Sequence, residues 1–486
     1  MGSYLNPGNK GFQESLNSEI YVDKTGLIEK TNAVLDTRQK FLCVSRPRRF
    51  GKSMAANMLS AYYSRECDSE KLFEGLEIAK NQTLCDEWMN QYPTIFVSFR
   101  QVDGLDFTGA YDMLTWVISE LYKKHLYLLE SDRINECDKE IARQLIRGNA
   151  SLRDTKGSLL LLTRLLQQYY GKPVILLLDE YDVPLAKASS NGYYKEMLSV
   201  IKGMMSTALK DNPFLKFAII TGCLKIAKES IFTGTNNLVS DTITDTRLNE
   251  YFGFIQKDVE QILRDAGSID HLERVKSWYD GYHFGRMDVY CPWDVIQYCK
   301  SLYLDVSAKP QDFWSNSSSN AIVRRFIDKA DISTRNEIER LIAGESIEKD
   351  VVSELTYDEI DKSIENLWSV LFTTGYLTHK GCTESGKYRL VIPNKEVRNL
   401  FVKKIREWFS DVSRNDGKTL EEFCSAFVDK DSEKIEQIFG DYLWNTISIR
   451  DTAVAKEKKE NFYHGILLGI LSYKGGWYVT SNRESG

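Results

Sequence analysis

Two short clusters in this sequence carry side chains suited to phosphate chemistry. Lys52 and Ser53 follow Gly51, and far downstream Asp179 and Glu180 close an apolar run. A lysine ammonium in such a position reaches the terminal phosphates of a nucleotide, and the adjacent hydroxyl joins the shell of a Mg2+ ion. An aspartate at the end of a strand completes that shell, and a neighbouring glutamate polarises the attacking water as general base. Thr221 ends another apolar run, where a hydroxyl senses a γ-phosphate or orients water. Each feature also has a plainer reading: a basic turn between strand and helix, two acids leaving a sheet for solvent, and a hydroxyl satisfying nearby backbone.

The elements that must position these groups are readable around them. Phe41-Leu42-Cys43-Val44 reads as a buried strand, and Met54-Ala55-Ala56-Asn57-Met58-Leu59 reads as the opening of a helix. Strand, loop, Gly-Lys-Ser and helix in that order make a phosphate-binding loop. A helix N-terminus leaves N–H groups unpaired and carries partial positive charge. Gly51 permits close approach of backbone to phosphate. Arg48, Arg49, Phe50, Gly51, Lys52, Ser53 and Met54 are therefore the candidate nucleotide-binding positions. The full pattern asks for glycine five residues before Gly51; Arg46 stands there, and Pro47 stiffens the loop.

Pro173 to Leu178 is short and wholly apolar, the mark of a buried parallel strand. Acids at the C-terminal end of such a strand sit where open α/β sheets bind ligands. Residues 94–99 and 214–222 read as further strands. Helical spacing covers 109–130 and 157–170, and Tyr193 to Leu209 reads as a helix. Alternation of strand and helix favours a parallel sheet. Residues 238–244 read as a fifth strand, with Arg247 nearby as a charge sensor or a surface ion pair. The segment Ile20 to Ile28 reads as a short strand running into a helix, where it either covers a base or simply packs.

From about residue 250 the pattern changes. Aromatic-dense stretches at 278–284 and 289–294 suggest a small helical lid, or else a stacking surface for bases. Residues 310–410 read as helices followed by a hairpin around Gly381 to Gly386, resembling a winged-helix module. Beyond 411 come further helices, an apolar helix at 462–471 and a strand at 475–481.

At 486 residues the chain has room for about three domains. With 42% hydrophobic and 27% charged residues it is globular in composition. A net charge of −6 supplies no global basic field, so nucleic-acid binding would need a local patch. No apolar run has the length of a membrane span, and no signal-peptide pattern is visible. Nine scattered cysteines without zinc spacing read as reduced thiols of a cytoplasmic protein.

Taken together, the motifs resemble a bacterial and archaeal AAA-ATPase-like family that usually carries a C-terminal PD-(D/E)XK nuclease domain. The matching pieces are Tyr21-Val22-Asp23-Lys24-Thr25, Arg46-Pro47-Arg48-Arg49-Phe50-Gly51-Lys52-Ser53, Leu178-Asp179-Glu180-Tyr181-Asp182 and Thr221-Gly222. Phe252-Gly253-Phe254, Trp278-Tyr279-Asp280-Gly281-Tyr282, Ile392-Pro393-Asn394, Glu460 to Gly465 and Ser481 to Gly486 extend the resemblance in order along nearly the whole chain. The family's own loop carries Arg-Pro-Arg-Arg-Phe, which accounts for Arg46.

The resemblance implies a P-loop NTPase of ASCE/AAA-like type over 1–250, with a parallel sheet flanked by helices. It implies ATP and Mg2+ as ligands, Lys52, Glu180 and Thr221 as catalytic groups, and Ser53 and Asp179 at the metal. A helical lid over 251–310, a winged-helix-like module over 311–410 and the start of a nuclease-like α/β region over 411–486 follow. In the family the nuclease Asp and Glu-x-Lys come after the Ser-Asn-Arg-Glu-Ser-Gly segment, so the expectation is a sequence that stops before them. Asp451 with Glu457-Lys458-Lys459 matches the letters in a polar, helix-like context. The expected function is ATP hydrolysis by the motor half of an ATPase-nuclease protein. The alternatives are a nucleotide-binding switch or scaffold with little turnover, and a DNA nuclease only within a longer chain. Nucleic acid is an expected partner through the winged-helix-like or nuclease-like region, no membrane is expected, and the oligomeric state is open.

Overall fold

A computed structural model describes residues 5–224, 238–314, 320–352, 355–360, 362–415, 417–446 and 471. The helix expected at 462–471 (residue 471 apart), the strand at 475–481, and Asp451, Glu457 and Glu460 lie outside the described residues. The chain divides into two compact units. The first comprises 1–265, 284–292 and 352–362; the second comprises 266–283, 293–351 and 363–486.

The first unit is built on five parallel strands: β1 (Phe41–Ser45), β2 (Thr94–Ser98), β3 (Val174–Asp179), β4 (Leu215–Gly222) and β5 (Leu238–Asp241). Their order is β2-β3-β4-β1-β5. β1, β2 and β3 are buried along their whole length, as expected for strands covered on both faces. The two-residue period shows in one face: Leu42 and Val44, Ile175 and Leu177, Phe217 and Ile219 all join one core with Met58, Leu59, Tyr62 and Tyr63 of the helix that follows the loop. That helix spans Lys52–Tyr63. The long helices Phe107–Lys123, Leu152–Tyr170 and Tyr194–Leu209 supply most of the remaining helical layer. The edge of β2 is covered by the chain start, where Asn6 donates its N–H to Phe96 O at 3.1 Å and its Oδ1 accepts from Phe96 N at 2.6 Å.

Residues 21–25 form no strand. At the entry to the helix Gly26–Asn32, Asp23 accepts from Thr25 N (2.8 Å) and Oγ1 (2.7 Å), and it also accepts from Glu77 N (2.7 Å). Lys24 Nζ donates to Glu250 O (2.8 Å) and Asp258 Oδ2 (2.6 Å). Every polar side chain of Asp23-Lys24-Thr25 is thus spent on holding loops together. The aromatic-dense stretch near 280 also departs from an all-helical reading, because short strands occupy Tyr282–Phe284 and Met287–Val289.

In the second unit a three-stranded antiparallel sheet has Tyr388–Val391 in the middle, between Ile347–Lys349 and Thr378–Cys382. The expected hairpin is there; the third strand was not foreseen, being only three residues long. The helix before the hairpin, Ile364–Thr373, carries no Lys or Arg and buries Leu367 through Phe372, so its sequence is that of a packing helix. Two of the motif segments meet in this unit: Asn394 Nδ2 donates to Asp280 O at 2.9 Å, beside Gly281 at φ +96°. Among the described residues no helix is long and apolar enough to cross a membrane.

Candidate active site

The site gathers at the C-terminal ends of β1, β3 and β4. Parallel pairing brings this about: Ser45 of β1 stands opposite Gly222 of β4, and Leu178 of β3 opposite Ile220. The last residues of three neighbouring strands therefore come out on one edge, which is where parallel sheets bind ligands.

From β1 the chain turns through Arg46 to Gly51. Arg49 at φ +74° and Gly51 at φ +84° both take the left-handed conformation, and a Cβ on Gly51 would meet nothing within 4 Å. Glycine is needed there for its backbone angle, and space for an incoming group is open beside it. Gly51 precedes the Lys52–Tyr63 helix and its carbonyl accepts from Ala55 N at 2.9 Å. Lys52 is buried; its Nζ donates to Arg46 O and Pro47 O, both at 2.8 Å, and lies 3.6 Å from Cys223 Sγ. Ser53 is exposed and donates to Asp179 Oδ2 at 2.8 Å. The other carboxylate oxygen, Oδ1, accepts from Thr221 Oγ1. Two of the sequence candidates, Ser53 and Thr221, thus share the carboxylate of a third.

Glu180 follows at φ +53°, a backbone region uncommon for a residue with a Cβ. The kink turns the chain off β3 while Tyr181 N still donates to Thr221 O at 3.2 Å. Burial, then the adjacent Asp179, push the Glu180 carboxyl above the usual carboxylate range; Arg100 and Lys52 oppose this. Strained backbone and a raised carboxyl at one residue are features that cluster at functional sites.

The remaining loop candidates divide. Arg48, Arg49 and Met54 are exposed along the loop and first helical turn. Phe50 is buried, its ring 5.1 Å from that of Phe284, so its side chain anchors the loop and only its main chain faces the site. Arg247 is exposed beyond β5. Arg46, which takes the place of the motif's first glycine, is fully buried. It pairs with Asp241 at the end of β5, donates to Ser45 O (2.9 Å) and Asp241 O (3.0 Å), and stacks near Phe252 and Phe284. The residue that looked like a defect in a phosphate loop is a brace between that loop and the sheet.

Four neighbours escaped the sequence reading. Cys223 lies against Lys52, Arg100 faces Glu180 electrostatically, Asp241 holds Arg46, and Asp182 is buried beside β4. Asp182 Oδ2 accepts from Cys223 N (3.0 Å), Leu224 N (3.1 Å) and Tyr357 Oη (3.3 Å). The only sequence signal was Asp182's place in Leu-Asp-Glu-Tyr-Asp; Tyr357 had none.

Among the described residues no group of three or more His, Cys, Asp or Glu side chains is placed to hold a metal alone. Ser53 and Asp179 offer adjacent oxygens instead, with a lysine and a helix N-terminus alongside. A hard divalent ion bound here would complete its shell with phosphate oxygens and water, which is how Mg2+ is ordinarily held.

Residues 9–232 match the family model described as a predicted AAA-ATPase, the AAA-ATPase-like family. A relative from Azotobacter chroococcum mcd 1, described as an uncharacterized protein in the vnfD 5' region, is 26% identical over 384 residues, covering 78% of this chain. The chain spans 64% of that relative's length.

Proposed function

We propose, from the premise that residues 9–232 are an AAA-ATPase-like domain, that this protein binds ATP with Mg2+ and hydrolyses it. The observation that carries the reading is the convergence on Asp179: Ser53 and Thr221 both donate to its carboxylate, with Lys52 and Glu180 alongside. Lys52 exchanges its two loop carbonyls for phosphate oxygens, and the unpaired N–H groups of the first helical turn receive others. Ser53 and Asp179 would hold a Mg2+ ion, whose chemistry would be to neutralise charge on the phosphates. Glu180 takes a proton from water; its raised affinity for protons suits a base working near neutral pH. Thr221, fixed by Asp179, orients that water. Catalysis here rests on positioning and electrostatics rather than on covalent chemistry.

A second reading, a nucleotide switch with little turnover, is favoured by Lys52's engagement with Arg46 O and Pro47 O, which a ligand must displace. Phosphate release measured with Mg2+ and ATP separates the two, with Glu180→Gln and Lys52→Ala beside the wild type. The enzyme reading expects turnover in the wild type, binding without turnover in Glu180→Gln, and loss of binding in Lys52→Ala. Binding by the wild type with no turnover would select the switch, and no binding at all would sink both. A cytoplasmic location is part of the proposal, in keeping with cysteines scattered along the sequence without a paired spacing.

A further inference from the structure

Asp182 is a third carboxylate at this edge, and its surroundings differ from those of Asp179 and Glu180. It is 2% exposed. Both amides that donate to its Oδ2, those of Cys223 and Leu224, belong to the turn leaving β4. That turn begins one residue after Thr221, whose hydroxyl is on Asp179, and it includes the cysteine that lies 3.6 Å from Lys52 Nζ. The fit is tight as well as polar. A Cβ on Gly222 would come within 2.7 Å of both Asp182 Oδ1 and the Tyr181 ring. Tyr181 is itself buried and donates from its hydroxyl to Leu224 O at 2.9 Å. Asp182 Oδ1 has no hydrogen-bond partner among the described residues. An acceptor held so closely on one oxygen alone responds to small movements of the turn, because packed interiors shift between discrete arrangements rather than deform smoothly.

The third donor comes from elsewhere in the chain. Tyr357 lies in 352–362, a segment of the first unit that the sequence places between two stretches of the second. Besides its hydroxyl on Asp182, its carbonyl accepts from Ser189 Oγ at 3.4 Å, and its ring stands 6.4 Å from that of Tyr194. The segment is therefore docked on the two helices that directly follow the candidate catalytic acids, Val183–Asn191 and Tyr194–Leu209.

We propose that Asp182 is a positioning residue that couples nucleotide occupancy to the docking of residues 355–360, with Tyr357 as the group that reads it. The inference rests on the nucleotide-binding reading above and deepens it. When Lys52 leaves the loop carbonyls for phosphate, the charge beside Cys223 moves. The Thr221–Leu224 turn adjusts, and Asp182 holds or releases Tyr357 accordingly. Conversely, Tyr357 in place holds the turn, and with it Thr221, in the geometry needed for hydrolysis.

The test uses the full chain, with Tyr357→Phe and Asp182→Asn. Three quantities are measured: affinity for a fluorescent ATP analogue, steady-state kcat and KM, and amide hydrogen exchange of the peptide covering 355–360 with and without Mg2+-ATP. In the wild type, exchange in that peptide should change about threefold or more on nucleotide addition. Tyr357→Phe keeps the ring and its packing, so a merely structural residue would leave the kinetics alone. The expected result is instead an affinity changed by no more than about threefold, the share that linkage allows the lost coupling, a kcat lower by about fivefold, and loss of the nucleotide-dependent difference in exchange. Asp182→Asn should abolish the same difference. A wild type that binds nucleotide without any change at 355–360, or a Tyr357→Phe variant that keeps both kcat and the difference, would overturn the coupling. A wild type that binds no nucleotide would overturn the parent reading, and this inference with it.

Discussion

At the scale of single residues, Glu180 and Arg46 show how the same burial serves different ends. Glu180 is held above the ordinary carboxylate range chiefly by burial and then by Asp179. As the proposed general base it is inactive when protonated, so the acid limb of the kcat profile should lie above the usual glutamate value, and turnover should fall as pH drops through it. Glu180→Gln should lower kcat by about a hundredfold or more, the ordinary share of a general base. The sign for stability is opposite. A carboxyl whose folded pKa exceeds its unfolded one costs stability when ionised. That cost is absent below the unfolded pKa and complete above the folded one. Glu180→Gln should therefore melt above the wild type at neutral pH, with the gap closing on acidification, as thermal denaturation across pH would show. A constant gap would mean that the charge is not what strains the fold there. Arg46 is buried with a partner, and removing half of a buried pair leaves a charge without compensation. Arg46→Ala should destabilise by about 3–5 kcal/mol in urea denaturation, and adding Asp241→Leu should recover part of the loss.

At the scale of elements, the end of β4 is the tightest joint. Gly222→Ala places a methyl 2.7 Å from both Asp182 Oδ1 and the Tyr181 ring, neither of which is the free end of a flexible chain. A cost of about 1–3 kcal/mol is expected, with ATP turnover falling further than ATP binding because Thr221 is displaced. Denaturation and kinetics on the one variant measure both. β4 also shows where a sequence is readable. Phe217 to Ile220, like Phe41 to Val44 and Val174 to Leu178, is a fully apolar run followed by a polar residue, and such a run admits few readings beyond a buried parallel strand. The catalytic candidates stood out because Gly51-Lys52-Ser53 and Asp179-Glu180 are local patterns. What stayed hidden depends on pairing across the fold. What Arg46 does in place of the motif's first glycine is visible only with Asp241, nearly two hundred residues on, which holds it. Asp182 sat in plain view inside a quoted motif, but its partners are main-chain amides of a turn and a tyrosine with no local signature. Around Asp23-Lys24-Thr25 the apolar residues suggested a strand, whereas the three polar side chains bind neighbouring loops and the backbone there stays irregular.

At the scale of the whole molecule, the division into two compact units predicts where damage spreads. Contacts are dense inside each unit, so each has its own cooperative opening, and local stability follows such units rather than the chain as a whole. Gly281 offers a probe within the second. It sits at φ +96°, and a Cβ there would lie 2.0 Å from Pro393 O, inside the joint where Asn394 Nδ2 donates to Asp280 O. Neither the backbone angle nor the contact tolerates a methyl, so Gly281→Ala must pull 280–282 away from 392–394. Strain from the angle alone is about 1–3 kcal/mol, and the clash adds to it. Amide exchange should then rise in Tyr388–Val391 and Thr378–Cys382, which lead into that joint, while β1, β3 and β4 keep wild-type protection. Affinity for ATP should stay within about twofold, because Lys52, Ser53 and Asp179 all belong to the first unit. If protection in β3 and β4 fell in the same proportion as in Tyr388–Val391, the chain would open as one body, and the nucleotide site would depend on residues that the site's own geometry never touches.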